Sequence, residues 1–171
     1  MKIAYADPPY IGQAKKHYAT EDTYAGEVDH IELLCSLKHD YPDGWALSCS
    51  SQSLQEILNI CHINDIHPRI AAWVKPFASF KPGVNPGYAW EPVLFMGGRK
   101  RDRTEDTVRD WVSCNITLQT GLAGVKPMAF SFWLFSLLGM EPGDELVDLY
   151  PGSGAVSHAW NRYQEQMAVL G

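Results

Sequence analysis

Glu145-Leu146-Val147-Asp148-Leu149-Tyr150-Pro151-Gly152-Ser153-Gly154-Ala155 reads as a strand that runs into a tight turn and then into a helix. Apolar side chains dominate Glu145–Leu149, and Pro151-Gly152-Ser153-Gly154 follows as the turn. A helix is expected from about 155 to 167. Such a turn lets backbone approach a ligand closely, and the helix N-terminus behind it favours a negative group. It is not a GxGxxG dinucleotide fingerprint, because residues 152–157 read G-S-G-A-V-S, nor a Walker loop, because no Gly-Lys-Ser/Thr follows. Taken alone, the stretch is also explained by a plain turn.

The other end of the chain carries a second strand exit. Met1–Ala6 is strand-like and stops at Asp7-Pro8-Pro9-Tyr10. Between the two exits, 28–39 places Val28, Ile31, Leu34 and Cys35 at helical spacing, and Trp45–Cys49 reads as a buried strand. Ser50 or Ser51 is placed to cap a helix over 52–62. Strands are expected at 69–75 and at Glu91–Met96, with irregular chain over 97–112. Lys126-Pro127 opens an apolar helix over 128–139, with proline in its first turn and Phe130, Phe132, Trp133 and Phe135 as a packing face. Strands alternating with helices predict an α/β sheet. In open sheets of this class ligands bind beyond the carboxyl ends of the strands, where both exits stand.

The 171 residues are expected to form one domain, 1–171, with enough apolar content (46%) for a core. The longest apolar stretch, 128–140, is too short for a membrane span of ~20 residues. MKIAYADPPY lacks a signal-peptide layout, so an intracellular protein is expected. Cys35, Cys49, Cys61 and Cys114 form no CxxC pair, and the six histidines have no metal-ligand spacing, so no metal is expected. Net charge is −6, and a nucleic-acid binder of that charge needs a local basic face. The run Arg99-Lys100-Arg101-Asp102-Arg103 qualifies, as do Lys15 and Lys16, although such a run is as often a solvated loop.

Asp7-Pro8-Pro9-Tyr10 suits a particular chemistry. An exocyclic amine on adenine or cytosine is a poor nucleophile because its lone pair is conjugated with the ring. Accepting hydrogen bonds from its protons helps the nitrogen pyramidalise and offsets the charge that develops during attack. The Asp7 carboxylate and the Pro8 carbonyl are two such acceptors, and Tyr10 can stack on a base taken out of its helix. An ordinary exit of a strand into a rigid Pro-Pro is the plainer explanation of these four residues in isolation.

Together the two exits resemble a family. Asp7-Pro8-Pro9-Tyr10 looks like the catalytic motif of amino-methyltransferases acting on DNA, and Asp148–Gly154 resembles their cofactor motif, which usually has Phe where Tyr150 stands. Lys126-Pro127 is similar to the segment leading into that motif. Trp73-Val74-Lys75-Pro76 and Trp90-Glu91-Pro92-Val93-Leu94-Phe95 look like the middle segment of the β group, which has the same permuted order, catalytic motif first. The resemblance implies a Rossmann-like methyltransferase sheet with helices on both faces, and S-adenosylmethionine as methyl donor. It implies that Asp7, Pro8, Pro9 and Tyr10 hold the target base. It also implies that Asp148, Tyr150, Gly152, Ser153 and Gly154, helped by Lys126 and Pro127, line the cofactor. Asp rather than Ser at position 7 resembles the adenine-N6 enzymes, acting in a bacterial or phage-infected cytoplasm.

The chain departs from that pattern after Gly154. The family has two more strands there, the first carrying an acid for the cofactor ribose, and this sequence has room for one helix; a substitute acid has to come from elsewhere, and the sequence does not name it, Glu165 being a candidate that sits on the expected helix. The expected consequence is a bare sheet edge, covered by a second copy or a partner subunit. The recognition-type insert, about 76–124, is short, so little sequence specificity is expected. Rival readings are a non-catalytic binding or regulatory subunit of this fold, and a methyltransferase acting on RNA, a free nucleotide or cytosine N4.

Overall fold

The computed structural model describes residues 1–11, 28–77, 82–117 and 125–170. Six strands form one sheet: β1 (Lys2–Ala6), β2 (Gly44–Ser48), β3 (Arg69–Val74), β4 (Trp90–Gly97), β5 (Trp111–Ser113) and β6 (Glu145–Asp148). Four helices accompany them: α1 (His30–Asp40), α2 (Leu54–Ile63), α3 (Met128–Leu137) and α4 (Ala155–Leu170). The strand order is β5-β3-β4-β2-β1-β6. The β1–β2, β1–β6 and β3–β5 pairs are parallel, whereas β4 runs antiparallel to both β2 and β3.

Side-chain alternation explains why the sheet is covered twice. Ile3 and Tyr5 point to one face, with Ala46, Trp73, Val93 and Phe95, against Phe130, Leu134 and Phe135 of α3 and Val156 and Trp160 of α4. Ala4 and Ala6 point to the other, with Trp45, Leu47 and Leu94, against Leu33, Leu34 and Leu37 of α1 and Ile57 and Cys61 of α2. A strand buried on both faces needs apolar residues at every position, as in Ile3–Ala6. The α3–α4 contact is aromatic: Phe135 meets Trp160 edge-on at 5.1 Å and Phe132 meets Tyr163 at 5.3 Å.

Three local expectations are corrected. The cap of α2 is Ser53, with Ser50 Oγ accepting from its backbone N–H at 3.1 Å, and the helix begins at Leu54, two residues later than expected. Pro127 is the N-cap of α3, in extended backbone (ψ 152°), and lies outside its first turn. The segment 97–112 is not wholly irregular: Trp111–Ser113 adds β5 to the free side of β3, a strand too short for alternation to betray. The described residues contain no helix long and apolar enough to cross a membrane.

This topology sorts the loops onto two rims. The carboxyl ends of β1, β2, β3 and β6 and the start of β4 share one rim. Gly97, at the end of β4, pairs with Gly44 at the start of β2, so the chain after β4 leaves from the opposite rim. Among the described residues β6 is an edge strand, paired only with β1.

Candidate active site

Asp7 leaves β1 on the α3 face of the sheet. The strand stops there because Pro8, which is buried, and Pro9 cannot donate to a ladder. Asp7 Oδ2 lies 2.8 Å from Lys126 Nζ. Lys126 arrives from the segment before α3 with only 4% of its side chain exposed. Its ammonium also lies 3.5 Å from Glu91 Oε2, and the other oxygen of Glu91 is bonded to Lys75 Nζ. Trp73 walls the network: Lys75 Nζ stands 4.6 Å and Lys126 Nζ 5.5 Å from its ring centre. Phe130 lies beneath Lys126 at 5.9 Å. Behind Asp7, the Tyr5 hydroxyl and Ser48 Oγ share a hydrogen bond of 2.8 Å.

The network holds two carboxylates and two ammoniums, so it is neutral as a whole, and that permits burial. Desolvation works against charged Lys126, but Asp7, the tyrosines and Glu91 more than offset it and hold the ammonium well above the ordinary lysine range. Burial pushes the Asp7 carboxyl up against the opposing pull of Lys126. Glu91 is desolvated too, yet Lys126 and Lys75 together hold it below the usual carboxylate range. Burial raises the Tyr5 and Tyr10 phenols well above their ordinary value, so both are neutral. One Asp7 oxygen is thus clamped by Lys126. The other, Oδ1, has no partner among the described residues, and the side chain is 21% exposed. A carboxylate so held is an oriented hydrogen-bond acceptor.

The next strand supplies the second half. Tyr5 of β1 and Asp148 of β6 are register partners, and Leu149 N–H continues the ladder to the Tyr5 carbonyl at 2.9 Å. Neighbouring strands lie about 4.8 Å apart, so the Asp7 and Asp148 loops leave the rim side by side. Asp148 Oδ2 accepts from Ser157 Oγ at 3.2 Å, whereas Oδ1 is buried with no partner among the described residues. Burial pushes this carboxyl up as well. Gly152 (φ +48°) and Gly154 (φ +73°) take left-handed backbone, and a Cβ on Gly154 would meet nothing within 4 Å, so space is open beside the turn. Ser153 is exposed there; Tyr150 is half-buried against the α1 and α2 face.

The structure therefore brings Asp7, Pro8, Pro9, Tyr10 and Lys126 to one place and Asp148, Gly152, Ser153 and Gly154 beside it. Lys126 bonds Asp7, where the resemblance implied a part in lining the cofactor, and Pro127 serves as the cap of α3. The basic run is not brought to this rim. Arg99 binds Asp144 Oδ1 and Oδ2 at 3.1 and 3.0 Å and Glu141 at 3.2 Å. Arg101 donates to the Ser136 carbonyl at 2.6 Å. Lys100 and Arg103 are exposed in the same segment, beyond the opposite rim, because β4 reverses the chain. Lys15 and Lys16 lie outside the described residues. Glu165 is on the exposed side of α4, paired with Arg162 at 3.3 Å. Glu91, Lys75 and Trp73 enter the sequence reading only through resemblance, not as site residues. A charge inside an apolar strand such as Trp90–Gly97 is the signal that could have found Glu91, since it has to find a partner.

No protein-family profile matches the sequence, and no curated protein matches it. Solved structures do. M1.HpyAVI in complex with SAM superposes with a TM-score of 0.65 at 16% identity, over 95% of this chain and 78% of that one. A second structure of M1.HpyAVI gives 0.59 at 15% identity, over 95% and 76%. The fold is the Rossmann-like methyltransferase fold. TTHA0409 of Thermus thermophilus, assigned as a DNA modification methylase and complexed with S-adenosyl-L-methionine, aligns over 95% of this chain and 77% of that one, with a TM-score of 0.50 at 15% identity.

Proposed function

We propose that this chain is an S-adenosylmethionine-dependent methyltransferase acting on the exocyclic N6 amino group of adenine in DNA. The observation that carries the reading is the pair of strand exits: an oriented acceptor on β1, Asp7, next to an open glycine turn on β6. The structures of similar fold add support, since M1.HpyAVI and TTHA0409 are described in complex with this cofactor and TTHA0409 as a DNA modification methylase. Asp at position 7 favours adenine over cytosine within the resemblance.

The residues present fit the cofactor. Asp148 Oδ1 is a buried acceptor without a partner among the described residues, suited to an ammonium, and the turn at Gly152–Gly154 leaves room beside it. When bound, S-adenosylmethionine supplies a methyl group on a sulfonium centre. The chain's own task is to present the amine. Asp7 Oδ1 and the Pro8 carbonyl accept the two amino protons, which turns the nitrogen lone pair out of conjugation. Lys126 keeps the carboxylate from rotating. Tyr10, neutral and half-buried, offers its ring to the base. Alignment of the two sites supplies much of the acceleration without a strong base. Incubation with labelled cofactor and unmethylated DNA should yield N6-methyladenine; label confined to cytosine, or to free nucleotides, would replace the substrate.

DNA must reach this rim, and the rim has a suitable surface. Phe77, Tyr88, Trp90 and Trp111 are the exposed aromatic residues among those described, and all lie on or beside β3, β4 and β5. Stacking of a base on an aromatic ring is worth about 1–3 kcal/mol. Trp90→Ala is expected to raise KM for DNA by roughly tenfold or more, with cofactor affinity unchanged. Equal KM values for wild type and variant would remove Trp90 from the interface.

The edge position of β6 supports a second copy or partner subunit at that side. Sedimentation at micromolar concentration is expected to give a dimer mass, and Leu146→Lys to shift it to monomer. A monomer at every concentration would leave only a separate subunit.

A further inference from the structure

We infer that Glu91 is a positioning residue for Asp7, acting through Lys126, and that the chain Glu91–Lys126–Asp7 decides which carboxylate oxygen is offered to the substrate amine. The coupling of the three side chains stands on geometry alone; its consequence for the amine rests on the methyl-transfer reading above.

Lys126 is a buried ammonium between two carboxylates, 2.8 Å from Asp7 and 3.5 Å from Glu91. The unequal distances matter. An ammonium carries three donors, and a second acceptor at its back keeps it from closing wholly onto Asp7. Glu91 is itself held in place, since Lys75 takes its other oxygen and Glu91 stands opposite Trp73 in the β3–β4 ladder. Glu91 thus has one lysine on each oxygen, Lys75 on Oε1 and Lys126 on Oε2. Its reach to Lys126 has a further effect: it holds the ammonium on the Oδ2 side of Asp7.

The groups facing Asp7 come from every neighbouring element. They are Lys126 before α3, Glu91 on β4, Lys75 just past the end of β3, Tyr5 on β1, Tyr10 in the loop after β1 and Asp148 on β6. The tyrosines are neutral, so the charge felt by Asp7 is the balance of Lys126 and Lys75 against Glu91 and Asp148. Glu91→Gln removes one negative charge while keeping the shape. The Lys126 ammonium then has Asp7 as its one ionic partner among the described residues, and Asp7 becomes both harder to protonate and a poorer acceptor.

The test is the titration of the Asp7 carboxyl carbon by 13C NMR on the full chain, with the pH profile of methyl transfer beside it. In Glu91→Gln the Asp7 midpoint is expected to move to lower pH. The acid limb of kcat moves with it, kcat falls roughly tenfold, and KM for S-adenosylmethionine stays put. Glu91→Asp, which keeps the charge, is expected to restore the midpoint toward wild type; it also serves if the Gln variant does not fold. An unmoved Asp7 midpoint in Glu91→Gln, with only a lower melting temperature, overturns the inference, as does an equal displacement by Asp and Gln. A midpoint that moves as expected in a protein without methyl transfer supports the coupling and sinks the functional reading instead.

Discussion

Asp7→Ala is expected to lower kcat for methyl transfer to unmethylated DNA by about 100- to 1000-fold, the usual loss when one preorganised hydrogen-bonding group that stabilises a transition state is removed. The amine needs an acceptor only while its nitrogen is becoming tetrahedral, so the loss falls on kcat more than on KM. Cofactor affinity by calorimetry should stay within a few-fold, because Asp148 and the glycine turn belong to the neighbouring strand exit. The fold should survive, since Lys126 keeps Glu91 as a counter-ion after Asp7 is gone. Activity within a few-fold of wild type would refute the role of Asp7. Loss of cofactor binding together with activity would mean that Asp7 shapes the pocket as a whole.

Lys126→Met is expected to destabilise the protein by about 3–5 kcal/mol near pH 8, the cost of leaving buried charge without its partner. Asp7 and Glu91, 21% and 16% exposed, would keep Lys75 as the one remaining ammonium of the network. Without Lys126 the folded-state values of both carboxyls rise above those of the unfolded chain. Protonated, they cost nothing, so the variant keeps its stability at low pH and loses it as pH rises through the carboxylate range. Melting curves at pH 4.5 and pH 8 should therefore diverge for the variant far more than for wild type. A deficit that is the same at both values would assign Lys126 a packing role beside Trp73 and Phe130.

Punctuation made much of this legible in the sequence. Pro8-Pro9 and Pro151-Gly152 mark where strands must stop, and a strand end in an open sheet is where a ligand sits, so Asp7 and Asp148 stand out from the residues alone. Apolar runs such as Ile3–Ala6 and Trp45–Ser48 point to a doubly covered sheet for the same reason. What could not be read was direction. The basic run 99–103 has the composition of a nucleic-acid contact, but composition does not tell on which rim a loop emerges; that depends on β4 being antiparallel, which no residue in 90–97 encodes by itself. Glu91 and Lys75 were hidden in another way. Glu91 is one charge in a strand and Lys75 one charge just past the end of another, and only the pairing of β3 with β4 and the arrival of Lys126 turn them into a network. Trp111–Ser113 is three residues, shorter than any periodicity can register.

The β1–β6 pairing has a consequence for how the protein is made. Tyr5 and Asp148 stand side by side although nearly the whole described chain separates them. Closing so long a loop costs entropy that only an already compact sheet can offset, so this ladder belongs among the late contacts in folding. On the ribosome, β1 emerges first and has to wait, with β2 as its earlier neighbour, until residues 145–148 leave the exit tunnel. The acceptor at Asp7 and the glycine turn therefore do not exist as neighbours in any shorter nascent chain. A growing polypeptide with half of this site holds a carboxylate or a turn, and brings the two together only when β6 docks beside β1.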